Sequence, residues 1–265
     1  MRPRSRTLHN TAEVEAWPAW LLRARGNHDA RVLARARHVL RRKRDGRYLA
    51  AMLPDGVVPL LPGWSRGIAV DAALDAADSE AGGASHANRT RHLPLDGIRA
   101  RLDALGLDHG YGERTGLPLV AEPIALAFSG FDRFGRPLWL RADAMRAWAR
   151  MRAAAMRDGV PLDAISGYRS HDYQLGIFER KRARGQSVAQ ILQVNAAPGY
   201  SEHHSGLALD IGTPGEPPAE ASFERTAAFA WLGDQAGAHG FAMSYPRGNP
   251  HGIVYEPWHW RFAGD

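Results

Sequence analysis

Not one of the 265 residues is a cysteine. Disulfide staples, thiolate metal sites and cysteine nucleophiles are thereby excluded, and the chain must hold itself together by burying apolar side chains. It is long enough to do so. The length suits one large domain or two modest ones, and 45% hydrophobic with 23% charged residues is ordinary for a globular protein. No window approaches the ~20 consecutive apolar residues of a membrane-spanning helix, because Ala50 to Leu61 is broken by Pro54, Asp55, Gly56 and Pro59. No integral membrane segment is expected. The amino terminus, Met1-Arg2-Pro3-Arg4-Ser5-Arg6, has the basic character that opens a secretory signal. No apolar stretch of about 7 to 15 residues follows, since Trp17 to Leu22 is short and holds Pro18. No signal peptide is read, and a cytoplasmic chain is the expectation if this start is the true one.

The formal charge is +6, and among the 34 basic residues only Lys43 and Lys181 are lysines. An arginine excess attracts acidic partners in general, whether phosphates, anionic lipids or wall polymers. The densest run, Arg41-Arg42-Lys43-Arg44, falls at the end of an expected helix, where cations complement the helix dipole. With no nucleic-acid recognition motif elsewhere, no nucleic-acid partner is expected.

The spacing of Val32, Leu33, Ala36, Val39 and Leu40 predicts an amphipathic helix from Asp29 to the stop at Asp45-Gly46. Two β-prone runs, Arg47 to Leu53 and Val57 to Leu61, flank the turn Pro54-Asp55-Gly56 and predict a hairpin. Residues 75–92, rich in Ala, Gly, Ser, Asp and Asn, read as a flexible linker. They divide an N-terminal region, residues 1–110, from a second domain, residues 111–265. For the first region, targeting, wall affinity or a lid is the expectation. In the second, strands are expected at 138–140, 160–165, 207–211, 241–245 and 253–255, and helices at 142–157, 172–184, 187–194 and 223–239. The fold class this implies is α+β, a small antiparallel sheet with flanking helices, preceded by the N-terminal helix and hairpin.

Neutral imidazole is the commonest metal ligand, so the histidines matter most where thiols are absent. His28, His86 and His92 stand alone among polar residues and read as surface positions, as do His171 and His251. Two others differ. His203 precedes Asp210 by seven residues across a small, glycine-containing stretch, and His259 follows Glu256 by three beside Pro257 and two tryptophans. Two imidazoles and one carboxylate are the ligand set of a catalytic zinc, and a free carboxylate nearby takes the proton of its water. Each spacing taken singly also fits a structural hydrogen-bonded pair, and Trp258 and Trp260 fit ordinary core aromatics equally well.

The segments Ser166-Gly167-Tyr168-Arg169-Ser170 with Gln174, Pro198-Gly199-Tyr200-Ser201-Glu202-His203 through Gly206, Ala208 and Asp210, Gly240-Phe241 with Tyr245-Pro246, and Tyr255-Glu256-Pro257-Trp258-His259 resemble, in order and spacing, the VanY-type D-alanyl-D-alanine carboxypeptidases of peptidase family M15. These belong to a zinc-peptidase group that includes lysostaphin-type enzymes and the hedgehog signalling domain. The resemblance covers about residues 130 to 263. It implies zinc (Zn²⁺) held by His203, Asp210 and His259, Glu256 as general base and then acid, and Arg169 on the scissile carbonyl oxygen or the terminal carboxylate. Substrate contacts are expected from Ser201, Tyr168, Gln174 and Trp258. His204 stands where relatives often carry glutamine, and as a neighbouring imidazole it competes for the ligand assignment. The implied substrate is the peptide stem of peptidoglycan losing its terminal D-alanine, which implies a cell-envelope location. The alternatives are an L,D-carboxypeptidase or wall endopeptidase with the same site, or a zinc-containing wall-binding module without turnover; Glu256 argues against the last.

Overall fold

Short runs of mostly buried residues build the strands of the first part of the chain. The computed structural model describes residues 4–79 and 91–264. They fall into two compact units, residues 1–94 with 123–128, and residues 95–122 with 129–265.

In the first unit, strands β1 (Thr7–Asn10), β2 (Val14–Pro18), β3 (His38–Arg42), β4 (Tyr48–Leu53), β5 (Gly56–Pro59) and the start of β6 (Ala125–Phe131) form a sheet in the order β5-β4-β3-β2-β1-β6. The expected hairpin is β4 and β5, with Leu53 opposite Gly56. Helix α2 (Ile68–Ser79) lays Val70, Ala73, Leu74 and Ala77 on Val14, Ala16, Leu40, Leu49 and Met52 of the strands. The expected first helix is shorter than its pattern. Helix α1 spans Asn27–Arg35, and Val39 and Leu40 lie instead on β3. An apolar pair in a basic run fits either period, and here β2 and β4 pair on both sides of β3. The basic run is therefore no helix terminus. Arg41 reaches Glu15 at 2.9 Å, Arg42 Nε donates to Asp45 at 3.0 Å, and Lys43 is buried. Of the expected linker, residues 75–79 are the last turn of α2, alanine being the best helix former. Residues 80–90, His86 among them, lie outside the described residues, and His92 is exposed, bridged to Pro123.

The second unit shows the α+β fold expected from the sequence. Strands β8 (Asp163–Ser166), β9 (Ala208–Gly212), β10 (Phe241–Met243) and β11 (His259–Phe262) form an antiparallel sheet in the order β10-β11-β9-β8. Helix α5 (Ala142–Arg157) buries Ala144, Ala147, Trp148, Met151 and Ala155, spaced three and four apart as one helical face requires. They share a core with Leu138 and Leu140 of β7 (Pro137–Leu140), Leu209, Ile211, Trp260 and Leu232 of α8 (Ala227–Gln235). A smaller cluster joins Ile98 and Leu102 of α3 (Ile98–Ala104) and Tyr111 of α4 (Tyr111–Thr115) to Ala197, Tyr200, Tyr245 and Ile253. Helices α6 (His171–Arg182) and α7 (Val188–Leu192) follow the expected positions, shortened at their ends. The helix expected over 223–239 is α8 flanked by two 3₁₀ turns. The strand expected at 253–255 is absent from that segment. Ile253 packs into the smaller cluster, and the chain pairs only after Pro257, which has no N–H to give a ladder.

Because α3 supplies Ile98 and Leu102, a fragment starting at residue 111 uncovers part of the second unit's core, whereas one starting at 95 keeps it. Burying such side chains is worth roughly 2 to 5 kcal/mol each. The shorter fragment is expected to melt at least about 10 °C below the longer by calorimetry. Equal melting temperatures would show that α3 is dispensable.

Candidate active site

Two of the sequence's candidate ligands meet through strand register. In the β9–β11 pair, Asp210 stands directly opposite His259, and opposed residues present their side chains on one face of the sheet. Asp210 Oδ1 lies 3.1 Å from His259 Nδ1. His203 comes from the 3₁₀ turn Glu202–Ser205, which Gly206 closes at φ 68°. Its Nδ1–H donates to the Gly167 carbonyl at 2.7 Å, leaving Nε2 buried, 3.3 Å from Asp210 Oδ1 and without a hydrogen-bond partner. Gly167 has to be glycine: a Cβ there would stand 2.8 Å from both the Trp139 carbonyl and Leu138 Cδ1, pushing away the carbonyl that orients His203.

Burial holds the His203 imidazole down to about 4, with Arg169 adding to the effect, so at neutral pH Nε2 is a lone pair. Burial would raise Asp210, but His203, His259 and Arg169 outweigh it and keep the carboxylate ionised, well below its usual range. Burial likewise opposes charge on His259, yet its bonds to Asp210 and Glu202 push it up to about 10. A lone pair facing a carboxylate oxygen at 3.3 Å, both buried, calls for a cation between them. His203, Asp210 and His259 each offer a ligand atom within 4.8 Å of the others, the group among the described residues that meets this requirement. Two nitrogens and one oxygen fit Zn²⁺ with an open position.

Glu256 is buried, with Oε2 at 3.9 Å from His259 Nδ1. Burial raises its carboxyl to about 7, against the pull of His259, which suits a group that takes and returns a proton near neutrality. Arg169 Nη2 lies 3.8 Å from Asp210 Oδ2, and its Nε is buried without a partner. These groups line a cleft of about 580 Å³, together with Ser201, Gln174, Trp258 and Tyr245. Gln174 Nε2 donates to the Ala196 carbonyl at 2.8 Å while Oε1 has no partner. Trp258 both lines the cleft and packs on the main core. Tyr168 is placed differently: it is not among the cleft-lining residues, and its hydroxyl donates to Glu122 at 2.5 Å.

His204 is no rival ligand. Its Nδ1–H donates to the Arg169 carbonyl at 2.7 Å and its Nε2 accepts from the Gly199 N–H at 3.1 Å, so both nitrogens tie the two site loops together. His171, expected at the surface, is buried with its ring 4.4 Å from that of His204, its backbone N–H donating to Glu122 and its Nε2 bonded to the Val120 carbonyl. His251 is half-buried, with Nδ1 on the Thr115 carbonyl. Two carboxylates went unread in the sequence. Glu202 accepts from His259 Nε2 at 2.8 Å and from Ser244 at 2.6 Å, which fixes the ring and leaves Nδ1 toward Asp210. Glu122 braces Tyr168 and His171. Glu202 stands within the motif Tyr200-Ser201-Glu202-His203 without a role there, and Glu122 has no local signal in the sequence.

The sequence profile of the VanY family, described as D-alanyl-D-alanine carboxypeptidase, matches residues 137–265. The chain is 30% identical over 149 residues to the bifunctional D-Ala-D-Ala dipeptidase and D-Ala-D-Ala carboxypeptidase VanXYC of Enterococcus gallinarum, covering 54% of this chain and 76% of that protein. The chain belongs to the VanY family. It is also 38% identical over 131 residues to the putative carboxypeptidase YodJ of Bacillus subtilis, covering 48% of this chain and 47% of YodJ, and 30% identical over 139 residues to a D-alanyl-D-alanine carboxypeptidase of Enterococcus faecium, covering 51% and 41%. The matched part thus spans less than half the length of these two relatives. Similar solved structures include the LdcB LD-carboxypeptidase, with 36% identity, 48% of this chain and 60% of that one covered, and a TM-score of 0.45. Another is a VanY D,D-pentapeptidase in complex with Zn(II), with 28% identity, 51% and 77% covered, and a TM-score of 0.42. No helix among the described residues is long and apolar enough to cross a membrane.

Replacing His203, Asp210 or His259 by alanine is expected to reduce bound zinc, measured by elemental analysis of the folded protein, to a small fraction of wild type. His204→Gln should keep zinc and stability, because an amide can donate to Arg169 O and accept from Gly199 N–H. His204→Leu should keep zinc but melt roughly 5 °C lower, as two buried backbone groups lose partners. Zinc loss in His204→Gln with retention in His203→Ala would reverse the assignment.

Proposed function

We propose that this chain is a zinc-dependent carboxypeptidase that removes a C-terminal D-alanine from the peptide stems of peptidoglycan or their precursors. The observation that carries the reading is the partnerless His203 Nε2, facing the register-paired Asp210 and His259, beside a buried carboxyl on Glu256. Family membership supports the substrate class. On this reading the chain works where wall peptides are, at the cell envelope.

His203 Nε2, Asp210 Oδ1 and His259 Nδ1 would hold Zn²⁺, which when bound would supply Lewis-acid polarisation for the peptide carbonyl and the attacking water. Glu256 takes the proton of that water and returns it to the departing amine, so one water is consumed and free D-alanine leaves. The Arg169 guanidinium donates to the carbonyl oxygen as negative charge collects on it, with the His204 bond to Arg169 O holding that loop in place. Glu202 keeps the His259 ring turned for ligation. Ser201 and Gln174 offer hydrogen bonds and Trp258 a wall to the peptide. Tyr168 supports the site through Glu122 and stands outside the contact set.

The test is hydrolysis of stem peptides ending in D-Ala-D-Ala or in a single D-Ala, with products read by mass spectrometry. Release of D-alanine from the first alone, lost on chelation and restored by zinc, is expected. Release from the single-D-Ala peptide would turn the reading to an L,D-carboxypeptidase, and internal cleavage to an endopeptidase. Glu256→Gln should keep zinc while kcat falls by about 10² to 10⁴. A variant within twofold of wild type would overturn the role of Glu256.

A further inference from the structure

Lys181 is one of two lysines in a chain otherwise charged by arginine. It lies on the last turn of α6, seven residues after Gln174. At 3.6 residues per turn the two share a helix face, with Lys181 about 10 Å farther along the axis. Both line the cleft. The neighbouring Arg180 is turned elsewhere, over the ring of Tyr173 at 5.5 Å. The ammonium of Lys181 is partly desolvated and senses both Arg169 and Glu256, the first opposing its charge and the second favouring it.

The other charged groups of the cleft are committed or remote. Arg247 bonds to Glu224 at 2.6 Å and stacks 4.0 Å over Tyr255. Asp210 faces His203, His259 and Arg169, Glu256 faces His259, and Glu220 is exposed at the rim. Among the described residues, none of these carboxylates forms an ion pair with Lys181. A partly buried cation with no ion-pair partner is costly to hold, and an uncharged side chain of similar length would line the cleft at less expense. An anionic group on the ligand removes that cost.

We propose that Lys181 is a specificity-determining residue that binds a free carboxylate of the peptide substrate, so that the cleft selects peptides bearing one over their amidated counterparts. This rests on the peptidase reading above. Arg169 serves the reacting carbonyl beside the metal ligands. Lys181, farther along α6, takes a carboxylate elsewhere on the peptide, either the C-terminal one of the departing residue or one on the residues before it. A direct ion pair, with the flexible lysine stem reaching over the desolvated cleft wall, is the interaction expected.

The test uses the full-length, zinc-loaded protein as wild type, Lys181→Met and Lys181→Arg. Three peptides are titrated by calorimetry and assayed for product: one with both carboxylates free, one amidated at its C-terminus, and one amidated at its internal carboxylate. Methionine preserves the length of the stem without the charge. Lys181→Met should raise Kd and KM about 10-fold or more for the free peptide, the worth of a hydrogen bond to a charged group, with kcat within about twofold and Lys181→Arg close to wild type. The effect should vanish for whichever amidated peptide lacks the recognised group, which identifies the carboxylate. Equal weakening for all three peptides, or none for any, would overturn the proposal. If binding discriminates as expected but no peptide is cleaved by wild type, the peptidase reading fails and the carboxylate site stands. If cleavage is normal and Lys181→Met matches wild type, the reverse holds.

Discussion

The antiparallel pairing of β9 with β11 decides most of what this chain can do. It sets Asp210 opposite His259, so that a carboxylate and an imidazole 49 residues apart in sequence meet at 3.1 Å without any flexible loop to order. A slip of one residue would turn one of them to the other face of the sheet. The register is held by what lies behind it: Leu209, Ile211 and Trp260 point into a core that also takes Trp148 and Met151 of α5. The packing of an ordinary α+β core therefore fixes the geometry of these candidate ligands. His203 is delivered against this pair by a tight 3₁₀ turn and aimed by the Gly167 carbonyl.

Electrostatics follow from that placement. Two imidazoles and a carboxylate buried together are a poor arrangement in an empty protein and a good one around a divalent cation. The charge states reflect this, with His203 kept neutral, Asp210 kept ionised and Glu256 lifted toward neutrality by desolvation. Around them runs a shell that orients rather than ligates. Glu202 turns His259, and His204 clips the Arg169 carbonyl to the Gly199 amide. Preorganisation of this kind lets donors and acceptors act without rearranging as charge develops. Lys181 differs in that it lines the cleft and forms no ion pair among the described residues.

The first unit obeys a different logic. Its helix α2 presents a face of Val70, Ala73, Leu74 and Ala77, small enough to lie close on the sheet. In its basic run Arg41 pairs with Glu15 and Arg42 with Asp45, and Lys43 is buried. Two of the run's three arginines are thus held by intramolecular pairs, so clustering in sequence does not carry over whole to free charge on the surface.

Residue types and local spacing predicted the hairpin at Pro54-Asp55-Gly56 and the helical face of α5 and made His203, Asp210, His259 and Glu256 stand out, while it was the family resemblance of their motifs that implied a ligand set and a base. The local readings rest on short-range chemistry: imidazole and carboxylate donate to metals wherever they stand, turn residues bend the chain, and a period of 3.6 shows within sixteen residues. Tertiary structure decided the rest. Val39 and Leu40 became strand because two neighbours covered them, His259 joined a strand after Pro257 because β9 and β10 were there to pair with it, and the composition at 75–79 that reads as linker became helix against a sheet. The roles of Glu202, Glu122, His171 and His204 were equally invisible, since hydrogen bonds to partners 57, 49, 51 and 35 residues away leave no local pattern. Short-range propensity writes itself into neighbouring residues, whereas burial and register depend on which distant segments arrive, and only the folded chain brings those together.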